Sequence, residues 1–103
     1  MIKFTQFLRP NGRSRRVTIE RDATTERRAH ALQMCGAAFE IEELTTGRVY
    51  MDVTIPHDGE PYVLANEVCD NGPDVPEAVD RLTAAAYRQA VHMRIIPEGD
   101  DHE

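Results

Sequence analysis

The stretch that decides the fold is RVYMDVTI, residues 48–55, which has the cleanest alternation of apolar and polar residues in the chain. Successive side chains of a strand point to opposite faces, so the apolar positions predict a buried face made of Val49, Met51, Val53 and Ile55. The positions between them predict an outer face made of Arg48, Tyr50, Asp52 and Thr54. This pattern is typical of a strand in a sheet that has one face covered and the other face open.

Less regular alternation on both sides of this stretch predicts two more strands. In residues 39–44, Phe39 and Ile41 face one way, while Glu40 and Glu42 face the other. Residues 62–69 follow the pattern less closely and are predicted to place Leu64 and Val68 on one face. The segment between them, residues 56–61, holds two prolines and a glycine, which predicts a loop.

The chain opens with a predicted β-hairpin. Residues 2–8 and 16–20 alternate, and the Asn11-Gly12 pair between them is a strong turn signal because both residues tolerate positive φ. Arginines surround this turn, so the hairpin tip is predicted to be strongly basic. Its arginines are Arg9, Arg13, Arg15 and Arg16.

Two helices complete the pattern. Asp22 is predicted to cap a helix over residues 23–35, which ends at Gly36 and buries Ala31, Leu32 and Cys35. Asp74 is predicted to cap a second helix, with Pro76 in its first turn and Pro97 at its end. Its apolar face follows helical spacing through Val75, Val79, Leu82, Ala86, Ala90 and Met93.

The predicted order of elements is therefore ββαβββα. One-faced strands and helices must bury their apolar sides together, which predicts an α+β two-layer sandwich. In it, an antiparallel sheet carries both helices on one face. Residues 1–96 are expected to form one domain, and residues 97–103 an acidic, disordered tail.

The charge of the chain is unevenly distributed. The net charge is −6, yet residues 1–28 hold eight basic and three acidic residues, whereas residues 29–103 hold four basic and fifteen acidic ones. No leader segment or membrane span is evident, so we expect a cytoplasmic protein. Cys35 and Cys69 lie far apart in apolar contexts, which favours buried free thiols over a disulfide.

No sequence motif indicates catalysis. The four histidines lack neighbours at metal-ligand or acid–base spacing, and the chain has no nucleophile, phosphate-loop or dinucleotide motif. We therefore predict no catalytic residue, cofactor or metal, and a protein that is not an enzyme.

Two surfaces are left as candidate partner-binding sites. One is the basic hairpin tip, and the other is the outer sheet face around Glu40, Glu42, Arg48, Tyr50 and Asp52. Simple solvation is the alternative interpretation of each. The first hypothesis is a non-enzymatic protein that binds another protein, and the alternative is a weak nucleic-acid-binding module that uses the tip. Both a monomer and a homodimer fit the sequence.

Three segments also resemble a known group of proteins. They are KFTQFLRPNGR at residues 3–13, FEIEELTTG at residues 39–47 and NGPDVPEAVD at residues 71–80. Together they resemble a family of small, mostly uncharacterised proteins encoded by bacteriophages and prophages, over about residues 3–90. The resemblance implies an accessory protein made inside a bacterial host cell. Small acidic α+β proteins in that setting are often inhibitors of host defence, anti-CRISPR proteins among them. The resemblance assigns no catalytic residue.

Overall fold

The computed structural model describes residues 1–8 and 12–97. The described elements are β1 (Ile2–Leu8), β2 (Arg13–Ile19), α1 (Ala23–Met34), β3 (Ala38–Glu43), β4 (Arg48–His57), β5 (Glu60–Asp70) and α2 (Val75–His92). This order confirms the predicted ββαβββα arrangement and the α+β class. The predicted tail, apart from Pro97, lies outside the described residues, as do Arg9 and Asn11 of the hairpin turn.

The five strands form one sheet in the order β2-β1-β3-β4-β5. The prediction of a wholly antiparallel sheet is wrong at one pair, because β1 and β3 run parallel. Ile2 pairs with Ile19, so β2 ends beside the start of β1. Near the end of α1, Gln33 donates a hydrogen bond to the Lys3 carbonyl, so the helix stays close to this end of the sheet. β3 therefore starts where β1 starts and runs in the same direction.

Both helices pack against one face of the sheet and enclose a single core. The aromatic contact at its centre joins Phe4 of β1 to Phe39 of β3, with ring centroids 5.3 Å apart and the rings edge to face. From α2, the core receives Val79, Leu82, Ala86 and Ala90, all fully buried, which confirms most of the predicted apolar face. The sheet thus keeps a second face that neither α1 nor α2 covers.

Helix α1 begins and ends as the sequence predicts, but its buried side is rotated. The Asp22 carboxylate accepts a hydrogen bond from the Thr25 amide at 2.9 Å. At the other end Gly36 has a φ of 96°, a value that glycine adopts readily. The buried residues are Thr25, Ala29 and Leu32, whereas Cys35 is exposed. The predicted burial of Cys35 is wrong, because α1 turns its Thr25 side toward α2.

Helix α2 is bounded differently from the prediction. Asp74 has helical φ and ψ values, and its side chain makes no capping hydrogen bond. A capping side chain reaches the helix amides from an extended residue, so this backbone explains the missing bond. The helix ends at His92 instead of continuing toward Pro97, because Arg94 adopts a φ of 63° and the Ile95 amide donates to the Ala90 carbonyl.

The predicted loop at residues 56–61 is mostly strand. β4 and β5 continue to a tight turn at Asp58-Gly59, where both residues have positive φ, and Pro56 pairs with Pro61. Prolines cannot donate to a ladder and are tolerated where one side of a strand is unpaired. β3 begins opposite Thr54, so it does not extend beside Pro56.

A β-bulge changes the pattern of β5. Val53 pairs with Ala65, while Thr54 pairs with Val63, so Leu64 is an extra residue in the strand. The prediction that Leu64 and Val68 share a face is wrong. Leu64 is buried, whereas Val68 is exposed on the other side of the sheet, because the inserted residue shifts the alternation by one position.

No helix in the described ranges is long and apolar enough to cross a membrane.

Candidate functional site

The sheet face that the helices leave uncovered is the candidate site, and we call it the open face. Strand register orders it into rows that run across all five strands. The central row is Arg16, Thr5, Glu40, Asp52 and Asn66. The neighbouring row is Ser14, Phe7, Glu42, Tyr50 and Val68. Sheet geometry thus gathers Arg16, Glu40, Glu42, Tyr50 and Asp52, five of the predicted site residues, on one surface.

Two carboxyl groups oppose each other in the middle of the open face. Glu40 of β3 is the antiparallel partner of Asp52 in β4. Side chains that are directly opposite in such a pair have Cβ atoms about 5 Å apart. Asp52 is only 7% exposed, although its strand alternation predicts a solvated side chain. The sequence therefore predicts the face of Asp52 correctly but not its burial.

One oxygen of Asp52 lacks the contact that burial demands. The Tyr50 hydroxyl donates a hydrogen bond to Asp52 Oδ2 at 3.0 Å. Asp52 Oδ1 is inaccessible to solvent and has no hydrogen-bond partner among the described residues. Buried carboxylate oxygens without a donor are costly, so this atom requires a proton or a cation nearby.

Glu40 is the group that can supply this proton. Burial, followed by its hydrogen bond and charge repulsion with Asp52, raises the pKa of Glu40 to about 7. At neutral pH the Glu40–Asp52 pair therefore holds a proton about half of the time. A protonated Glu40 carboxyl can donate to Asp52, which relieves both the repulsion and the unpartnered oxygen.

Tyr50 belongs to the same cluster. Burial, and then the hydrogen bond to Asp52, raises the pKa of its hydroxyl. The hydroxyl therefore stays protonated at neutral pH and acts as a donor to Asp52. The carboxyl pair and Tyr50 form one hydrogen-bonded group at the centre of the open face.

Apolar side chains flank this acidic centre. Phe7, Val63 and Val68 are 41%, 45% and 44% exposed. Their register positions place all three on the open face. Sequence reasoning missed them as site residues. Phe7 could have been found from the alternation of β1, whereas the positions on β5 depend on the bulge.

Of the arginines predicted at the hairpin tip, Arg13, Arg15 and Arg16 lie within β2 and are divided between the two faces of the sheet, whereas Arg9 lies outside the described residues. Arg13 pairs with Leu8 and Arg15 with Gln6, on the helix-bearing side. Arg15 donates to the Gln6 side chain at 2.7 Å. Arg16 pairs with Thr5 and belongs to the open face. The described arginines therefore do not form one patch on a single face.

Arg48 lies at the margin of the site. It pairs with Asp70 across β4 and β5, and its Nε lies 3.5 Å from Asp70 Oδ1. Both side chains are largely exposed, so this ion pair contributes little to stability. Arg48 therefore balances a charge at the edge of the open face and does not join the central cluster.

The remaining chemical groups are separated from the open face. At the β4–β5 turn, His57 packs edge to face on Tyr62 with ring centroids 6.0 Å apart, and its Nε2 lies 3.7 Å from Asp58. Cys69 is buried, and Cys35 and Cys69 are both free thiols. Within residues 1–8 and 12–97, no three histidine, cysteine or acidic side chains cluster in a way that could hold a metal ion.

No protein-family model, curated protein or solved structure matches this chain.

Proposed function

We propose that this chain is a small, non-enzymatic accessory protein of a bacteriophage or prophage that binds a host or phage protein through the open face. The observation that carries the proposal is the combination on that face of exposed apolar side chains with a buried acidic centre. Interface cores combine apolar area with a few polar groups that determine specificity. The open face has both components within two adjacent rows of the sheet.

Charge complementarity defines the kind of partner. Glu40, Glu42 and Asp52 occupy the middle of the open face, while Phe7 and Val68 lie on either side of Glu42 and Tyr50 in the neighbouring row. A partner that matches this layout presents a basic side chain surrounded by apolar contacts. We therefore infer a protein partner with a basic surface, which also describes many nucleic-acid-binding proteins.

Affinity capture from bacterial lysate tests the proposal when it includes matched variants. The test variant is Phe7→Ser combined with Val68→Ser, which removes apolar area from the open face alone. The control is Met34→Ser, since Met34 is 74% exposed at the end of α1, away from this face. We expect one basic protein to be captured by the wild type and by the control and to be lost with the double variant. Equal capture by all three proteins would refute the proposal.

The resemblance to phage proteins leads to a finer form of the proposal, in which the partner belongs to a host defence system such as CRISPR. Expression in a cell whose CRISPR immunity targets an infecting phage should then restore plaque formation. The Met34→Ser control should restore it as well, and the double variant should not. Unchanged immunity with wild-type protein would exclude the system tested.

The alternative, weak nucleic-acid binding through the arginines of β2, has less support because Arg13 and Arg16 face opposite sides of the sheet. Three phosphate contacts would give a slope of log affinity against log salt of about −3. Such binding would be seen as a salt-sensitive gel shift that is lost when Arg13, Arg15 and Arg16 become alanine. Absence of a shift at about 50 mM salt would rule this role out.

A further inference from the structure

The least expected atom on the open face is Asp52 Oδ1. It is buried and has no hydrogen-bond donor among the described residues, although it belongs to the sheet face that neither α1 nor α2 covers. Its carboxylate is fixed by the Tyr50 hydroxyl, which occupies the other oxygen. Asp52 is therefore a positioned acceptor with one oxygen left for a donor.

Glu40 provides a second carboxyl group beside this acceptor. The two carboxyl groups come from adjacent strands in direct register, so both belong to the same small area of the face. An arginine guanidinium is a planar group with several N–H donors that match carboxylate oxygens two at a time. A lysine ammonium offers a point charge and does not match two adjacent carboxylates in the same way.

We propose that the Glu40–Asp52 pair receives an arginine side chain of the protein partner, and that the proton held between the two carboxyl groups leaves to solvent when the guanidinium binds. The proposal rests on the proposed function, because it assigns the basic group of that partner to a defined point. Before binding, the proton that Glu40 holds about half of the time at neutral pH can satisfy Asp52. Binding requires the Glu40 carboxyl to turn away from Asp52, because Asp52 Oδ1 is inaccessible to solvent in the unbound protein. The N–H groups of the guanidinium then replace the proton as donors to both carboxylates.

Other charged groups surround the pair and set the background for its titration. On the open face these are Lys3 of β1, Arg16 of β2, Glu42 of β3, and Tyr50 and Arg48 of β4, with Asp70 of β5 at the far margin. Thr5 separates Arg16 from Glu40 in the central row. Both helices lie on the opposite face of the sheet, so their charges do not face the pair.

The proposal makes binding depend on pH in a definite direction. The pair must lose its proton to accept the guanidinium, so binding strengthens as the pH rises through about 7, the pKa of Glu40. Conversely, a bound guanidinium stabilises the charged form of Glu40 and moves its titration to lower pH. These two effects are linked and must appear together.

The test uses the whole protein and N-acetyl-argininamide as the probe. Carbon NMR of the side-chain carboxyl groups follows the titration of Glu40, and the resonance of the Asp52 carboxyl carbon, with and without the probe. N-acetyl-citrullinamide serves as the matched control, because it has nearly the same shape and no charge. We expect saturable shifts at both carboxyl groups, a millimolar dissociation constant and a lower titration midpoint for Glu40 with the arginine probe only.

Variants distinguish this site from general attraction to an acidic protein. Glu40→Gln should weaken arginine binding by about tenfold, a loss of roughly 1.4 kcal/mol. Glu42→Gln removes the same charge from the next row and should have a much smaller effect. Equal losses in both variants, no shift at Glu40, or an equal response to the citrulline probe would each overturn the proposal. Glu40→Gln must also keep a cooperative thermal transition at or above the wild-type temperature, which shows that it remains folded.

Failure of this proposal is separable from failure of the proposed function. If the partner is captured through Phe7 and Val68 but the arginine probe does not change the titration of Glu40, the open face binds its partner without an arginine site at the Glu40–Asp52 pair. If the arginine probe changes the titration of Glu40 but no partner is captured, the arginine site at the Glu40–Asp52 pair exists and the proposed partner binding is wrong.

Discussion

Arg21 binds both carboxylate oxygens of Asp80 and thereby connects the start of α1 to the middle of α2. Its Nε lies 2.8 Å from Asp80 Oδ1, and one of its terminal nitrogens lies 2.7 Å from Oδ2. The Thr25 hydroxyl also donates to Asp80 Oδ1 at 3.1 Å. The hydrogen bond from Arg21, together with that from Thr25, lowers the pKa of Asp80. Asp80 thus anchors one helix to the other.

Replacement of Asp80 by asparagine should destabilise the protein. The amide keeps the shape of the side chain but loses the charge and one of the two acceptors for Arg21, so we expect Tm to fall by roughly 5 °C at neutral pH. Because the folded-state pKa of Asp80 is lowered, its stabilisation is present above the unfolded value of 3.8 and is lost as the pH falls through the folded value. The Tm difference should therefore shrink in strong acid.

Asp74→Asn is the matched control for this prediction. Asp74 lies at the start of the same helix, and its side chain makes no capping hydrogen bond. Thermal scans monitored by circular dichroism should show a much smaller loss for this variant. A similar fall in Tm for both variants would mean that the Arg21–Asp80 contact has no special role.

Replacement of Thr83 by valine should stabilise the protein. Thr83 is fully buried in α2, and its hydroxyl has no hydrogen-bond partner within the described residues. Valine has the same shape without the hydroxyl, so the free energy of unfolding should rise by about 1 kcal/mol. Urea unfolding measures this change. Thr25→Val provides the opposite case, since it removes the donor to Asp80 and should lower stability; a loss of stability in both variants would contradict the argument.

The stability of the protein should also depend on the charge of Glu40. The pKa of Glu40 is raised from 4.5 to about 7, so its protonated form stabilises the folded state at low pH. This contribution is fully present below the unfolded value of 4.5 and is lost as the pH rises through about 7. Glu40→Gln abolishes the titration and should gain about 1 kcal/mol over wild type between roughly pH 5 and pH 8.5, after allowance for solvent screening.

Urea unfolding of both proteins at the two pH values measures this effect, and the other titrating groups cancel in the difference. Glu42→Gln serves as the control, because Glu42 pairs with Tyr50 and not with a carboxylate. A pH-independent difference between Glu40→Gln and wild type would show that neither burial nor Asp52 raises the pKa of Glu40.

The two cysteines should differ sharply in reactivity. Cys35 is exposed after α1, whereas Cys69 is buried in β5, where burial and then the nearby Asp74 raise the pKa of its thiol. An aromatic disulfide reagent should therefore label Cys35 rapidly in the folded protein and Cys69 only after denaturation. The Cys35→Ser variant should lose the rapid phase. Rapid labelling of that variant would show that Cys69 is accessible.

The sequence predicts the parts of the fold that depend on local periodicity. β4 is the clearest case, since Val49, Met51, Val53 and Ile55 are all buried as their alternation requires. The same rule fails at Leu64 in β5. The β-bulge inserts one residue there and reverses the alternation, and a bulge has no periodic pattern by which the sequence could predict it. Periodicity does not predict the parallel pairing of β1 with β3 either. The relative direction of these two strands depends on the path of α1 and not on the sequence of either strand.

In the candidate site, too, the sequence predicts what depends on a single strand and does not predict what depends on pairing between strands. Alternation correctly placed Glu40, Glu42, Tyr50 and Asp52 on one face, because each position depends only on its own strand. The burial of Asp52 and its opposition to Glu40 depend on the register between two strands, which single-strand patterns do not contain. The sequence predicts Arg13 and Arg15 in the hairpin tip, whereas β2 begins at Arg13, and alternation then divides Arg13, Arg15 and Arg16 between two faces.

The parallel contact between β1 and β3 has a consequence for how the chain folds. β1 pairs locally with β2, and β3 to β5 pair in succession, so each group can form early from short loops. Their junction at Phe4 and Phe39 must bring distant segments together. We expect this junction to set the folding rate, so that Phe39→Leu slows refolding much more than it speeds unfolding in stopped-flow experiments. A change confined to the unfolding rate would show that the contact between Phe4 and Phe39 forms only after the transition state for folding.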